Sequence, residues 1–356
     1  MKRKVIISVD YEIFGNGTGD VRQHIVEPTE RMARICERHQ APLTVFFEME
    51  EYLAFERHAL ELRRAWGYDG ASLIREQTKD LARRGHDFQL HLHPEWQGVV
   101  YRDGWPLDER HGTVDSLFET VEETVHYMGQ RQKALSELSG RPVRCYRAGA
   151  FSAQPGRKLI RALSENGFIL DSSVVHGLVR NEEFVGYDYR NTPKGKSMWR
   201  VRDDVATESA TGPLWELTIG SIPGRRINQL TLGRLKAKFS GNVPKERQQQ
   251  MVKKLGINKR NPLSVLRFLS QPVPLKFDYH NVTPAKLYRW IRSAALPPPG
   301  LPDLVMLIGH TKEHMDDPGF DRLLGLISAD PEMEIVSLGA AAELLPNPSR
   351  PMEVAA

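Results

Sequence analysis

Gly85-His86-Asp87-Phe88-Gln89-Leu90-His91-Leu92-His93-Pro94-Glu95-Trp96 is the stretch whose reading decides the fold. Phe88 to His93 reads as a strand, and Pro94, which cannot donate to a sheet ladder, fixes where it stops. Side chains two apart on a strand share a face, so His91 and His93 project together at its C-terminal end. Two neutral imidazoles on one rigid face are pre-aimed for a divalent ion such as zinc. Alone, the pair reads equally well as two ordinary polar residues, and the rest of the chain has to choose.

Working outward, Val5 to Val9 has the continuous β-branched character of a strand buried on both faces. It ends in Asp10-Tyr11-Glu12, whose two carboxylates again share a face. Further strands are expected at Leu43–Phe47, Val143–Tyr146, Phe168–Leu170, Leu214–Ile219, Leu304–Ile308 and Glu334–Leu338. Helices are expected between them, at about 27–39, 50–64, 71–84, 114–138, 155–166 and 320–327, with Gly85 and Gly167 as stops. Strands alternating with helices indicate a parallel α/β architecture. Asp10, Glu12, His91, His93, Arg147, Asp171 and His310 all fall at C-terminal strand ends, the face where a barrel of βα units gathers its chemistry. One domain over 1–346 is expected, elaborated or inserted at 178–300, with a flexible tail at 347–356.

The composition, 40% hydrophobic and 26% charged over 356 residues, is that of an ordinary globular chain. Cys36 and Cys145 stand far apart and make neither a disulfide framework nor a C-x-x-C site. The apolar run after the basic N-terminus is broken by Asp10, too soon for a signal segment, and no stretch reaches membrane-spanning length. A cytoplasmic protein is expected. Arg225 to Lys276 carries thirteen Lys and Arg against the single acid Glu246, interleaved with leucines. That pattern suits anionic lipid or a phosphate-bearing substrate, hence a location peripheral to the inner membrane face. It equally suits a solvated helical insert; no nucleic acid is expected, for want of a binding motif.

Five blocks in order resemble the polysaccharide deacetylases of the nodulation-protein-B type, carbohydrate esterase family 4. They are Ser8 to Glu12, Gly85-His86 through His93-Pro94, Arg147 to Phe151, Gly167-Phe168 through Val174, and Leu307 to His310. The resemblance implies a distorted (β/α) barrel of about seven strands and a metal-dependent hydrolase that removes N-acetyl groups from a glycan or glycan precursor. It makes Asp10 the general base, Arg147 its orienting cation, and His310 the general acid with Asp171 holding its ring. Glu12, His91 and His93 become the ligands of a divalent metal ion, zinc foremost. The chain departs from the family at Glu12, where an aspartate is common, and in its shortened H-x-H pair, which leaves His86 as an alternative ligand.

Amide hydrolysis needs an activated water, a polarised carbonyl and a protonated leaving amine, which a two-histidine, one-carboxylate ion and an acid–base pair supply. Backbone N–H groups of the turn from Arg147 to Phe151 are candidates to bind the oxyanion. Trp96, Phe151 and Glu216 are assigned to substrate, although Trp96, Tyr101, Trp105 and Trp199 would serve equally to seal loops onto the barrel. Asp10 and Glu12 as solvated charges, Arg147 as a surface partner and Asp171 as a turn former are the plain readings. A small-molecule C–N hydrolase and a non-catalytic sugar-binding module are the rival functions.

Overall fold

The computed structural model describes residues 2–229, 262–297 and 299–346. Strands β1 (Arg3–Tyr11), β2 (Thr44–Glu48), β3 (Asp87–Leu92), β4 (Cys145–Ala148) and β5 (Leu170–Asp171) lie side by side in chain order, all parallel. A small hairpin, β6 (Val179–Asn181) with β7 (Gly186–Asp188), precedes β8 (Met198–Val201) and β9 (Leu214–Leu217). β9 extends the parallel sheet beside β5, and β8 runs antiparallel on its far side. An antiparallel ribbon of β10 (Ser221–Arg225) and β11 (Pro272–Lys276) follows. β12 (Leu304–His310) pairs with β1 along its whole length, and β13 (Met333–Ile335) joins the start of β1.

Seven parallel strands thus run β12-β1-β2-β3-β4-β5-β9. The two ends meet through a bridge from Ile219 to Met306, and Phe277 fills the remaining gap by bonding Gly220 and Ile308. The fold is a distorted (β/α) barrel, as expected. The distortion sits at this closure, where single bridges replace a ladder.

The period of two along each strand sorts the core. Ile6, Phe46, Cys145, Leu170, Trp215 and Met306, from six different strands, form one buried cluster, which is the barrel interior. Val5, Ile7, Val9, Val45, Phe47, Phe88 and Leu90 pack in the outer layer beneath the helices. The interior parity therefore runs Ile6-Ser8-Asp10, Phe46-Glu48, Gln89-His91-His93, Cys145-Arg147 and Met306-Ile308-His310. Every series is closed by a polar or charged residue at the C-terminal end. The helix Leu338–Ala342 plugs the opposite end with Leu338, Ala341 and Ala342.

Several elements differ from expectation. The helix expected over 50–64 is two, Met49–Arg57 and Ala59–Trp66, broken at His58. That expected from 114 starts at Val121, where Thr120 and Glu123 form a reciprocal capping box; only a short turn occupies Val114–Ser116. The range 178–300, expected to be elaborated or inserted, holds the hairpin β6–β7 and the ribbon β10–β11 as well as β9, the barrel strand expected at 214–219. Most of the basic segment, 230–261, and the expected tail lie outside the described residues. Among the described residues no helix is long and apolar enough to cross a membrane.

Candidate active site

The interior series end on one spot. Register places Asp10 opposite His310 on β1 and β12, and His91 opposite Arg147 on β3 and β4. Among the described residues, Glu12 with His91 and His93, and Asp10 with Glu12 and His310, are the groups whose candidate ligand atoms lie within 4.8 Å of one another.

Each imidazole is oriented from behind. His91 donates through Nδ1 to the Arg147 carbonyl oxygen at 2.9 Å, leaving Nε2 buried and without a hydrogen-bond partner. His93 Nδ1 meets Glu95 Oε1 at 2.9 Å, and its Nε2 faces Glu12 Oε2 at 2.8 Å; His91 Nε2 is 3.5 Å from the same oxygen. Fixing Nδ1 with a carbonyl or carboxylate is how proteins aim Nε2 at a metal. Two imidazole lone pairs and one carboxylate oxygen therefore converge, a donor set that fits a zinc-like divalent ion. Gly149 is needed for this approach: a Cβ there would stand 2.6 Å from His93 Cγ.

Beside this group lies a second unit. Arg147, fully buried, donates to Asp10 Oδ1 at 2.5 Å, to Ser8 Oγ at 3.0 Å and to the Ser172 carbonyl at 3.1 Å, and stacks 3.8 Å from the Phe46 ring centroid. Burial pushes the Asp10 carboxyl up, but Arg147, with His91 and His310, outweighs it and holds Asp10 below the usual carboxylate range. Its other oxygen, Oδ2, faces His310 Nε2 at 3.5 Å. Glu12 is likewise held well below its ordinary value: burial opposes this, while Lys312 and His93 prevail.

Some residues carrying this site were not singled out from sequence. Glu48, the last residue of β2, accepts the His93 N–H at 2.7 Å, and Glu51 accepts the Ile13 N–H at 3.0 Å. Burial, with Glu51 beside it, drives Glu48 well above the carboxyl range; burial and Glu12 push Glu51 to about 8. Glu95 lies two residues after His93, and Lys312 two after His310. Both stand in short 3-10 turns just past the strand ends, where the strand period no longer applies.

Other expectations need correcting. Leu170 and Trp215 belong to the interior, so Asp171 and Glu216, one residue on along the paired strands, point the other way. Asp171 accepts from Ser173 Oγ at 2.6 Å, and Glu216 accepts the Val174 N–H at 3.0 Å; both are fully buried. Burial raises Asp171 to about 6 and Glu216 well above its usual value; their bonds run to Ser173 and Val174, so Asp171 does not hold the His310 ring here. His310 Nδ1 instead has Glu313 at 3.7 Å. Trp96 is 1% exposed and packs edge-on against Phe55 and Trp105, sealing its loop rather than facing a sugar. His86 accepts the Leu43 N–H at 3.0 Å and meets Glu37 at 3.2 Å, which removes it as a ligand. His314 is buried and meets Asp317 Oδ1 at 2.7 Å. Phe151 stays half-buried at the site's rim, beneath Lys276 and in a turn where Ala150 and Phe151 both adopt positive φ, 51° and 64°.

No family model matches the chain, and no curated protein matches it in sequence. Among solved structures it is similar to a protein from Mycobacterium smegmatis described as a polysaccharide deacetylase, at 14% identity over 96% of this chain and 90% of that one, with a TM-score of 0.49. A 4-alpha-glucanotransferase from Thermococcus litoralis follows at 11% identity, 97% and 41% coverage and a TM-score of 0.48. Puue allantoinase gives 10% identity, 96% and 89% coverage and a TM-score of 0.44. The chemistry rests on the site itself.

Proposed function

We propose that the protein is a metal-dependent hydrolase that removes N-acetyl groups from amino sugars of a glycan or glycan precursor. The observation that carries this reading is the convergence of Glu12, His91 and His93 beside an Asp10–Arg147 pair that His310 also reaches. Glu12, His91 and His93 would hold a divalent ion, which when bound would supply Lewis acidity and make the attacking water more acidic, with a pKa of about 7.

The remaining groups divide the proton work. Asp10 Oδ1 is tied to Arg147, so Oδ2 is the oxygen that takes the proton from the attacking water. Water oxygen bonds to the acetyl carbon, the C–N bond breaks, and His310 Nε2 delivers its proton to the departing nitrogen. Acetate and a free amine are the products. Correctly placed acid and base groups contribute about 10²–10⁴-fold each.

A non-catalytic sugar-binding reading draws on one contact, the Lys312 ammonium on Glu12, which neutralises that carboxylate with no metal. Acetate release from a panel of N-acetylated oligosaccharides, with and without chelator, separates the readings. Release that chelator abolishes is expected. Turnover confined to small amides points to another C–N hydrolase, and glycan binding without turnover to the binding module.

A further inference from the structure

Lys312 is the group near the site that hydrolysis does not use. The register of β1 and β12 ends with Asp10 opposite His310, and the turn Thr311–Glu313 that follows places Lys312 against Glu12. Lys312 Nζ donates to Glu12 Oε1 at 2.6 Å and to the Ile13 carbonyl at 2.8 Å, and the residue is only 8% exposed. A buried ammonium persists only where acceptors compensate its lost hydration, and here they do.

Two consequences follow for Glu12. Its Oε1 is committed to Lys312, so Oε2 alone faces the histidine pair. Its length also becomes intelligible: an aspartate would withdraw the carboxylate by about 1.5 Å, one C–C bond, and could not span Lys312 on one side and the imidazoles on the other. The charges close as well. Asp10 is balanced by Arg147 and Glu12 by Lys312, so an arriving divalent ion meets a cavity already neutral, with a fixed cation behind its only anionic ligand.

We infer that Lys312 is a built-in counter-cation of Glu12, which keeps the ligand group assembled without metal and sets its divalent-ion affinity below that of the bare two-histidine, one-carboxylate set. This rests on the metal reading above and adds a positioning residue to it. Lys312 tethers the carboxylate, and the ion must share that carboxylate with the ammonium. Removing the charge while keeping an unbranched stem therefore tightens binding, whereas loss of a merely structural contact would loosen it.

Chelated full-length protein, wild type and the variants Lys312→Met and Lys312→Gln, is titrated with Co²⁺ and Zn²⁺ by equilibrium dialysis. Circular dichroism checks folding, and the Gln variant, which keeps a hydrogen-bond donor, stands in if the Met variant does not fold. Both variants are expected to bind each ion at least about tenfold tighter than wild type. Binding by both variants that is no tighter than wild type overturns the inference and leaves the metal site standing. No binding by any of the three proteins overturns the metal reading and this inference together.

Discussion

Replacing Arg147 by methionine removes the guanidinium that neutralises Asp10 in a fully buried setting. Breaking a buried ion pair from one side leaves an uncompensated charge and costs about 3–5 kcal/mol, a large share of the roughly 5–15 kcal/mol that holds a domain together. The Ser8 hydroxyl and the Ser172 carbonyl also lose their donor. In an Asp10→Asn background Arg147 is itself the uncompensated buried charge, so the same replacement relieves that charge and should cost at most the lost hydrogen bonds, about 1–2 kcal/mol. The pH dependence has a definite sign. With Arg147 present, Asp10 sits below its ordinary value, so the pair's stabilisation is full above the unfolded pKa and is lost as pH falls through the folded one. With Arg147 gone, burial and Glu12 push Asp10 up against His91 and His310 only, and the folded state should take up a proton before the unfolded state does. The deficit of the variant should therefore shrink on acidification. Urea unfolding of metal-free wild type, both single variants and the double variant, at about pH 7.5 and about pH 5, measures all of this. A cost under about 1 kcal/mol at the higher pH, or an equal cost in both backgrounds, refutes the reasoning.

His91→Ala and His93→Ala should each lose bound metal, while His310→Ala keeps it and loses most activity; elemental content of the purified variants decides. Gly149→Ala should weaken metal binding, because the new Cβ would meet His93 Cγ and Cδ2 and the Leu92 carbonyl at 2.6–2.7 Å. Overpacking of this kind costs about 1–3 kcal/mol, which a thermal melt reads alongside the metal titration. In metal-free protein, burial disfavours the His93 imidazolium, but Glu12 and Glu95 on either side hold its pKa well above the usual histidine range. Metal must displace that proton, so calorimetry in buffers of different ionisation enthalpy should show about one proton released per ion, with affinity rising about tenfold per pH unit through neutrality.

What was legible in the sequence followed the period of two. Asp10-x-Glu12 and His91-x-His93 share faces on strands that could be recognised, and Asp10, Glu12, His91, His93, Arg147 and His310 meet as that period requires. The same rule, applied to Leu170 and Trp215 as interior residues, would have turned Asp171 and Glu216 outward; which parity faced inward is settled only by the neighbouring strands. Trp96 was ambiguous because a tryptophan that seals a loop and one that stacks on a sugar leave the same trace in sequence. The helix expected from 114 begins at Val121 because Thr120 and Glu123 satisfy the N–H groups of its first turn. Lys312 and Glu95 pair with side chains far apart in sequence or around a proline, so their partners emerge only when β1, β3 and β12 are brought together.

The central claim, a catalytic metal held by Glu12, His91 and His93, is tested most directly by reconstitution. Chelated protein is reloaded stepwise with Zn²⁺, and acetate released from an N-acetylated oligosaccharide is plotted against bound metal for wild type and Asp10→Asn. The account predicts wild-type release rising in proportion to bound metal up to one ion per chain, with Asp10→Asn binding the same ion and releasing almost none. Acetate release independent of bound metal, or undiminished in Asp10→Asn, would contradict it.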